Sequence, residues 1–539
     1  MAHAIIFVDR APRTRELDLT SLHYSHFAGA AKIASELRKD GMDVLIVPNC
    51  LNLSFAGIKQ IIENNKKDLL WVGLSTTLLA MRLADQDIES YYDLWLKSAD
   101  PMLDIDFLVK KVDHKLSNDV ILWNSKVLGR ISHLCASKYS VPFMIGGACI
   151  NLIDTSGPLV HPNMHVVKGY AEVYTKELTE AMSSDPRQDV PYVVNNGNYD
   201  NVDFKDSQIY WNETDFIEPN DWLPIEVARG CAFNCAYCNY PRRGTADSYK
   251  HAESLREELI RNYEKFGVTK YMLVDDLYND SKEKVRYLYD EVWSKLPFKP
   301  EWTSFMRLDM FWADPESAEI IKASGARYGG FGIETLHDQA GKRIGKGLGR
   351  TRILETLQML KEVWNDEVLV GACMIAGLPF EPLESIEETI DWTMKTDLLN
   401  GATWQYLQLT PPSKFDLNLA KSKKQIIDME NSDARTRIDN DFDKFGIKWL
   451  DRDNWVNSAG VTKTQAIEVI SRFKPNNPWA GRFNQFMYAD VRSCGITHEQ
   501  IVNIHNGSIT GEIMDQSKVL TKQRIIQRLN KILAITDTK

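Results

Sequence analysis

The chain has 539 residues, 44% of them hydrophobic and 26% charged, with a formal net charge of -10. That length is too great for one ordinary core and predicts roughly two to four domains. No apolar run approaches the ~18 residues of a membrane helix, so no membrane span is expected, and the acidic balance argues against broad attraction to nucleic acid, leaving at most a local basic groove.

The N-terminal "MAHAIIFVDR" carries too short an apolar run before Asp9 for a signal peptide and reads as a first strand, which points to the cytoplasm. Residues 1–185 then alternate strands and helices, the pattern of a parallel, Rossmann-like sheet covered on both faces. "HFAGAAKIASELRKDG" is a helix closed by Gly41, and "MDVLIVP", "DLLWVGLST", "VPFMIGGAC" and "MHVVKGYAE" supply further strands, with a helix expected near 119–138. An insertion at about 81–118 follows the third strand, on the side where ligands bind in an open α/β sheet. Residues 186–222 are polar and aperiodic and read as a linker.

A second α/β series occupies 223–415, with strands at "PIEVARG", "KYMLVDD", "EWTSFMRLD", "ARYGGFGIE", "VLVGACMIAG" and "TWQYLQLTP". Six strand–helix repeats predict a partial (β/α)6, TIM-like barrel. Residues 416–539 read as a mainly helical domain with an aromatic loop around Trp479, Phe483, Phe486 and Tyr488. In the tail "SKVLTKQRIIQRLNKIL", the basic face of an amphipathic helix is expected to be solvated.

Eight cysteines in a chain this long do not suggest a disulfide framework and fit a reducing compartment. Three of them, Cys231, Cys235 and Cys238, crowd into "GCAFNCAYCNYPRRG" directly after the first strand of the second series. A structural zinc site wants four ligands in paired knuckles, and no partner pair is present. Three thiolates on one loop suit a [4Fe–4S] cube, in which each cysteine binds its own iron and one iron stays open. CxxxCxxC with Tyr237 before the last cysteine, at this place in a β/α barrel, resembles the radical S-adenosylmethionine superfamily.

The resemblance implies that S-adenosylmethionine chelates the open iron and is cleaved reductively to a 5′-deoxyadenosyl radical, with electrons from a donor such as flavodoxin or ferredoxin. It further implies ligand-binding roles for Tyr237 and for residues on later strands. Asp275 and Asp276 in "LVDDLYND" stand where many members carry a glycine-rich acidic motif for the methionine amino group, although the glycines are absent here. Arg307 in "SFMRLD" is placed for the methionine carboxylate, Glu334 in "GGFGIET" for the ribose, and Gly377 in "GACMIAGLPFE" for close backbone approach to the adenine.

A sheet domain ahead of such a barrel resembles the cobalamin-binding domain of one large branch. The resemblance places Ser75, Thr77, Gly146, Gly147, Gly169 and Glu172 where loops meet that cofactor. His26, in an HxxG stretch with Tyr24 in the position of the usual aspartate, is a candidate lower ligand; the alternative is a helix N-terminal histidine near a polar cap. The implied activity is cobalamin-dependent methyl transfer to an unactivated carbon. Radical rearrangement or cyclisation, with or without cobalamin, is the alternative chemistry, and a metal-binding interaction protein the non-enzymatic one. The residues name no catalytic group beyond these and no substrate.

Overall fold

The computed structural model describes residues 2–9, 24–75, 134–147, 164–169, 193–196, 204–240, 248–275, 277–409, 436–451, 454–473, 484–505 and 512–537, and residues 131, 171, 172, 175, 176, 179, 180 and 244. The 81–118 insertion, most of the 119–138 helix and the loop bearing Trp479 and Phe483 lie outside the described residues.

Short aliphatic runs form the front sheet. β1 (Ala4–Val8) and β2 (Val44–Pro48) are buried at every position, as strands covered on both faces must be. With β3 (Trp71–Ser75), β4 (Phe143–Gly146), β5 (Met164–Gly169) and β6 (Val193–Asn196) they make one parallel sheet in the order β2-β1-β3-β4-β5-β6. The order reverses between β1 and β3, which opens a crevice at the carboxyl ends of those strands. The sixth strand corrects the linker reading. "VVNN" inside 186–222 pairs with β5, because the edge of an already formed sheet supplies the partner groups that a polar strand needs.

Helices α1 (Ala28–Lys39) and α2 (Phe55–Asn65) pack on this sheet. α1 approaches closely through the fully buried Ala30, Ala31 and Ala34. α2 begins at Ser54, whose hydroxyl accepts the Gly57 N–H at 3.2 Å.

The second sheet is the expected partial barrel. Its strands are β7 (Trp222–Ile225), β8 (Lys270–Leu273), β9 (Glu301–Met306), β10 (Ala326–Glu334), β11 (Leu369–Ala376) and β12 (Gly401–Tyr406), all parallel and in sequential order. β11 can lie against β10 only because position 371 lacks a side chain: a Cβ on Gly371 would fall 1.8 Å from the Tyr328 hydroxyl. Ile6, Val8 and Trp71 of the front sheet share one hydrophobic core with Leu223, Tyr271 and Trp302 of the barrel.

The C-terminal region is mainly helical, as expected, but its last helix does not have a solvated basic face. Helix Glu512–Asp537 returns to the front domain, where Ile525, Leu529 and Ile532 join Ile58, Ile61 and Ile62 of α2 in a single core. Arg524 donates to Glu218 at 2.7 Å and to Asp221 at 2.8 Å. Arg528, 2% exposed, bonds Asn49 and the Ser25 carbonyl and stacks on Tyr24. Helical periodicity marks which residues are charged but not what lies opposite them. Among the described residues no helix is long and apolar enough to cross a membrane.

Where the front sheet meets the barrel, Lys250 and Glu258 form an ion pair at 2.7 Å with side chains 0% and 1% exposed. Lys250→Met should strand a buried carboxylate and lower stability by about 3–5 kcal/mol, read from the urea midpoint. Lys250→Met/Glu258→Gln should regain most of that loss, since glutamine still accepts the Ile209 N–H.

Candidate active site

Beyond β7 the chain forms a loop that is tied down on three sides. Ala236 N–H donates to the Ile344 carbonyl at 2.9 Å, Gly244 N–H to Phe233 at 2.9 Å, and Ile438 N–H to Ala236 at 3.1 Å. On this loop Cys235 is buried and Cys231 and Cys238 are half-buried. Burial, reinforced by the neighbouring Cys235 and Cys238, pushes the Cys231 thiol up to about 11. A cationic ligand is what such a thiol needs in order to ionise. No three His, Cys, Asp or Glu among the described residues surround a point that would hold a single ion. A cube in which each thiolate takes a separate iron has no such requirement, so the loop fits that group.

Arg307, at the end of β9, is buried and points at this loop. Its Nη1 donates to Cys235 Sγ at 3.2 Å, its Nε and Nη2 to Asp309 at 2.8 and 2.6 Å, and its guanidinium lies 3.7 Å from the Phe233 ring centroid. The geometry gives Arg307 a contact to a cysteine of the loop and an internal counter-ion in Asp309.

Asp275 follows β8 and is 5% exposed. Its Oδ1 accepts the Val227 and Ala228 N–H groups at 2.8 and 3.0 Å, while Oδ2 is buried without a partner. Burial, with the charge of Glu226, pushes this carboxyl up to about 7 against the pull of Lys284 and the two N–H groups. An orphaned buried oxygen on a carboxyl bonded to Ala228, three residues before Cys231, is a place for a cationic ligand group. Asp276 lies outside the described residues.

At the end of β10, Glu334 adopts a left-handed backbone, φ 69°, which turns its carboxylate into the site. The Tyr237 hydroxyl donates to Glu334 Oε1 at 2.6 Å and Lys346 Nζ lies 3.5 Å from the same oxygen. Gly332 leaves the room: a Cβ there would stand 2.5 Å from Glu334 Oε1. At Gly377, φ 85°, the space a Cβ would fill holds Trp455, 2.5 Å away, so this position admits an indole of the C-terminal domain.

In the front sheet, Ser75, Gly146 and Gly169 end β3, β4 and β5, and Gly147 follows with φ 114°. These residues share one edge of the sheet; Thr77 lies outside the described residues. His26 is buried between Tyr24 and Trp211, and its Nε2 is bonded to Asp221 at 2.8 Å. Burial also lowers its pKa. Glu172 is turned to the barrel, accepting from Arg229 Nη2 at 2.7 Å.

That last contact belongs to a group the sequence reading missed. Arg229 Nε donates to Glu226 at 2.6 Å, and Lys32 of α1 pairs with the same carboxylate. Burial works against ionisation of Glu226, but Lys32 and Arg229 prevail and hold its carboxyl down at about 2. The only signal available was the i, i+3 pair in "EVARG" just before the first cysteine.

Residues 225–393 match the Radical SAM superfamily. An uncharacterized methyltransferase of Pyrococcus horikoshii is 26% identical over 190 residues, covering 33% of this chain and 38% of that protein. The bacteriochlorophyllide d C-12(1)-methyltransferase of Chlorobaculum tepidum is 22% identical over 176 residues, covering 32% and 37%. The chain thus spans well under half the length of these relatives. The cobalamin-dependent S-adenosylmethionine radical enzyme OxsB, solved with aqua-cobalamin and S-adenosylmethionine, shares the fold at a TM-score of 0.51 and 14% identity, over 81% of this chain and 57% of that one.

The raised Asp275 carboxyl gives a prediction for the protein without ligands. Its folded pKa lies above its ordinary 3.8, so the folded chain holds a proton that the unfolded chain releases. Stability should therefore fall between about pH 4 and pH 7, by up to about 1.4 kcal/mol per unit from this group, and level off above. Urea midpoints across that range should show a shallower slope in Asp275→Asn than in the wild type; equal slopes would contradict the assignment.

Proposed function

We propose that this chain is a radical S-adenosylmethionine enzyme with a [4Fe–4S] cluster on Cys231, Cys235 and Cys238, cobalamin on the front sheet, and methyl transfer to an unactivated carbon as its reaction. The observation that carries the reading is the pinned three-thiol loop beside the unpartnered Oδ2 of Asp275. When bound, the cluster supplies the electron that cleaves the sulfonium C–S bond of S-adenosylmethionine.

The chain's own residues bind and orient. Arg307 fixes the Cys235 sulfur and offsets thiolate charge from a buried position. Asp275 Oδ2 accepts from the ammonium of the methionine moiety, which also favours the ionised carboxylate. Glu334, aimed by Tyr237 and freed from clash by Gly332, accepts from a ribose hydroxyl. For cobalamin, support comes from the small residues at the ends of β4 and β5, from the Glu172–Arg229 contact that holds this edge of the front sheet to the cysteine loop, and from the fold shared with OxsB. His26, engaged with Asp221, is not among the cobalt ligands on this reading.

Anaerobic reconstitution should load about four iron per chain and yield 5′-deoxyadenosine from S-adenosylmethionine on reduction, and Cys231→Ala/Cys235→Ala/Cys238→Ala should lose both. Retention of cleavage in that variant would sink the cluster assignment. Cobalt content after incubation with hydroxocobalamin tests the front sheet separately: cleavage without corrin uptake leaves radical chemistry but removes methyl transfer through cobalamin.

A further inference from the structure

The chain carries a net charge of -10, yet one open cavity of about 570 Å³ is lined by Lys342, Arg343, Arg437, Lys444, Phe380 and Phe445, with Gln339. None of its four cations has a carboxylate within ion-pair distance among the described residues, whereas Lys295, Arg350, Lys361 and Lys395 elsewhere on the barrel do. Lys342 and Arg343 close the helix Asp338–Ile344, where basic residues suit the helix dipole. That accounts for two of them. Arg437 and Lys444 come from a separate segment that the fold brings to the same mouth, so the dipole does not explain the cluster. Arg343 is braced above the Phe380 and Phe445 rings and bonded to the Lys444 carbonyl. Asp441 is turned back, its Oδ1 accepting the Lys444 N–H at 3.0 Å.

The position is what gives the patch meaning. Arg437 Nη1 donates to the carbonyl of Asn234, the residue before Cys235, at 2.8 Å. The helix that carries Lys342 and Arg343 ends at Ile344, whose carbonyl accepts the Ala236 N–H, the residue after Cys235. The patch is thus the outer side of the cysteine loop, joined to it by two hydrogen bonds. Each reductive cleavage removes one electron from the cluster, so a reductant must return one at a point where the protein between it and the cluster is thin.

We propose that this basic face is the docking site of a one-electron carrier protein with an acidic surface. The carrier is oxidised by one electron and the cluster reduced by one, with no bond made or broken. This rests on the radical S-adenosylmethionine reading above. Opposite charges steer such an encounter and make its rate fall with salt.

The test compares two reductants on the reconstituted full-length enzyme. An acidic flavodoxin, kept reduced by its reductase, is set against dithionite, with 5′-deoxyadenosine formation as the readout. Lys342→Glu/Lys444→Glu should raise the KM for flavodoxin by about tenfold and flatten its salt dependence, while the dithionite-driven rate stays at the wild-type level. Lys342→Arg/Lys444→Arg should behave as wild type. An unchanged KM for flavodoxin in the glutamate variant overturns the proposal, including the case where inorganic phosphate binds the patch without competing with flavodoxin. If dithionite gives no cleavage with the wild type, it is the radical reading that fails and not the docking site.

Discussion

One largely buried carboxylate, Glu226, is bonded from both of the molecule's two main sheet domains. Glu226 leaves the first barrel strand and is bonded at once by Lys32 of the front domain and by Arg229 of the cysteine loop. Arg229 reaches on to Glu172 beyond β5, and the Phe204 ring lies 5.0 Å from Lys32 and 4.9 Å from Arg229. Removing four charges from water costs several kcal/mol each, so the arrangement persists only where every charge finds a partner in good geometry. Such a network adds little net stability. It acts as a register: the front sheet cannot turn relative to the barrel without leaving a buried charge alone.

That constraint explains why the ends of both sheets face one region. Glu172 can meet Arg229 only if the carboxyl end of β5 lies against the loop that follows β7, two residues before Cys231. The tail helix closes the arrangement from the other side. Arg524 bridges Glu218 and Asp221, and Asp221 in turn holds His26 at the start of α1. The same connecting segment is therefore fixed to the front domain by a histidine and to the C-terminal helix by an arginine.

The parts legible in the sequence were those with local causes. Strands of β-branched and aliphatic residues showed themselves through burial on both faces, and the three cysteines through a spacing that few other chemistries need. The parts that escaped depend on contacts between distant residues. β6 is a short VVNN run in an otherwise polar stretch and becomes a strand through its neighbour; that Gly377 makes room for Trp455, 78 positions later, is written nowhere near it in the sequence. Arg524 and Arg528 look solvated on a helical wheel because the wheel contains neither Tyr24 nor Asp221. His26 is bonded to a partner 195 residues away, which no local pattern announces.

The register network also reaches the chemistry through its charge. Glu226 is held ionised by its two cations, and it is one of the charges that push the Asp275 carboxyl up toward neutrality. With its carboxyl pushed up to about 7, Asp275 is about half ionised near neutral pH, and its Oδ1 is already saturated by two backbone N–H groups. A ligand ammonium would meet a carboxyl whose ionisation the protein disfavours. On the proposed reading, an ammonium at Oδ2 would draw the remaining proton off Asp275, and its affinity would depend on a charge that also joins the two sheets.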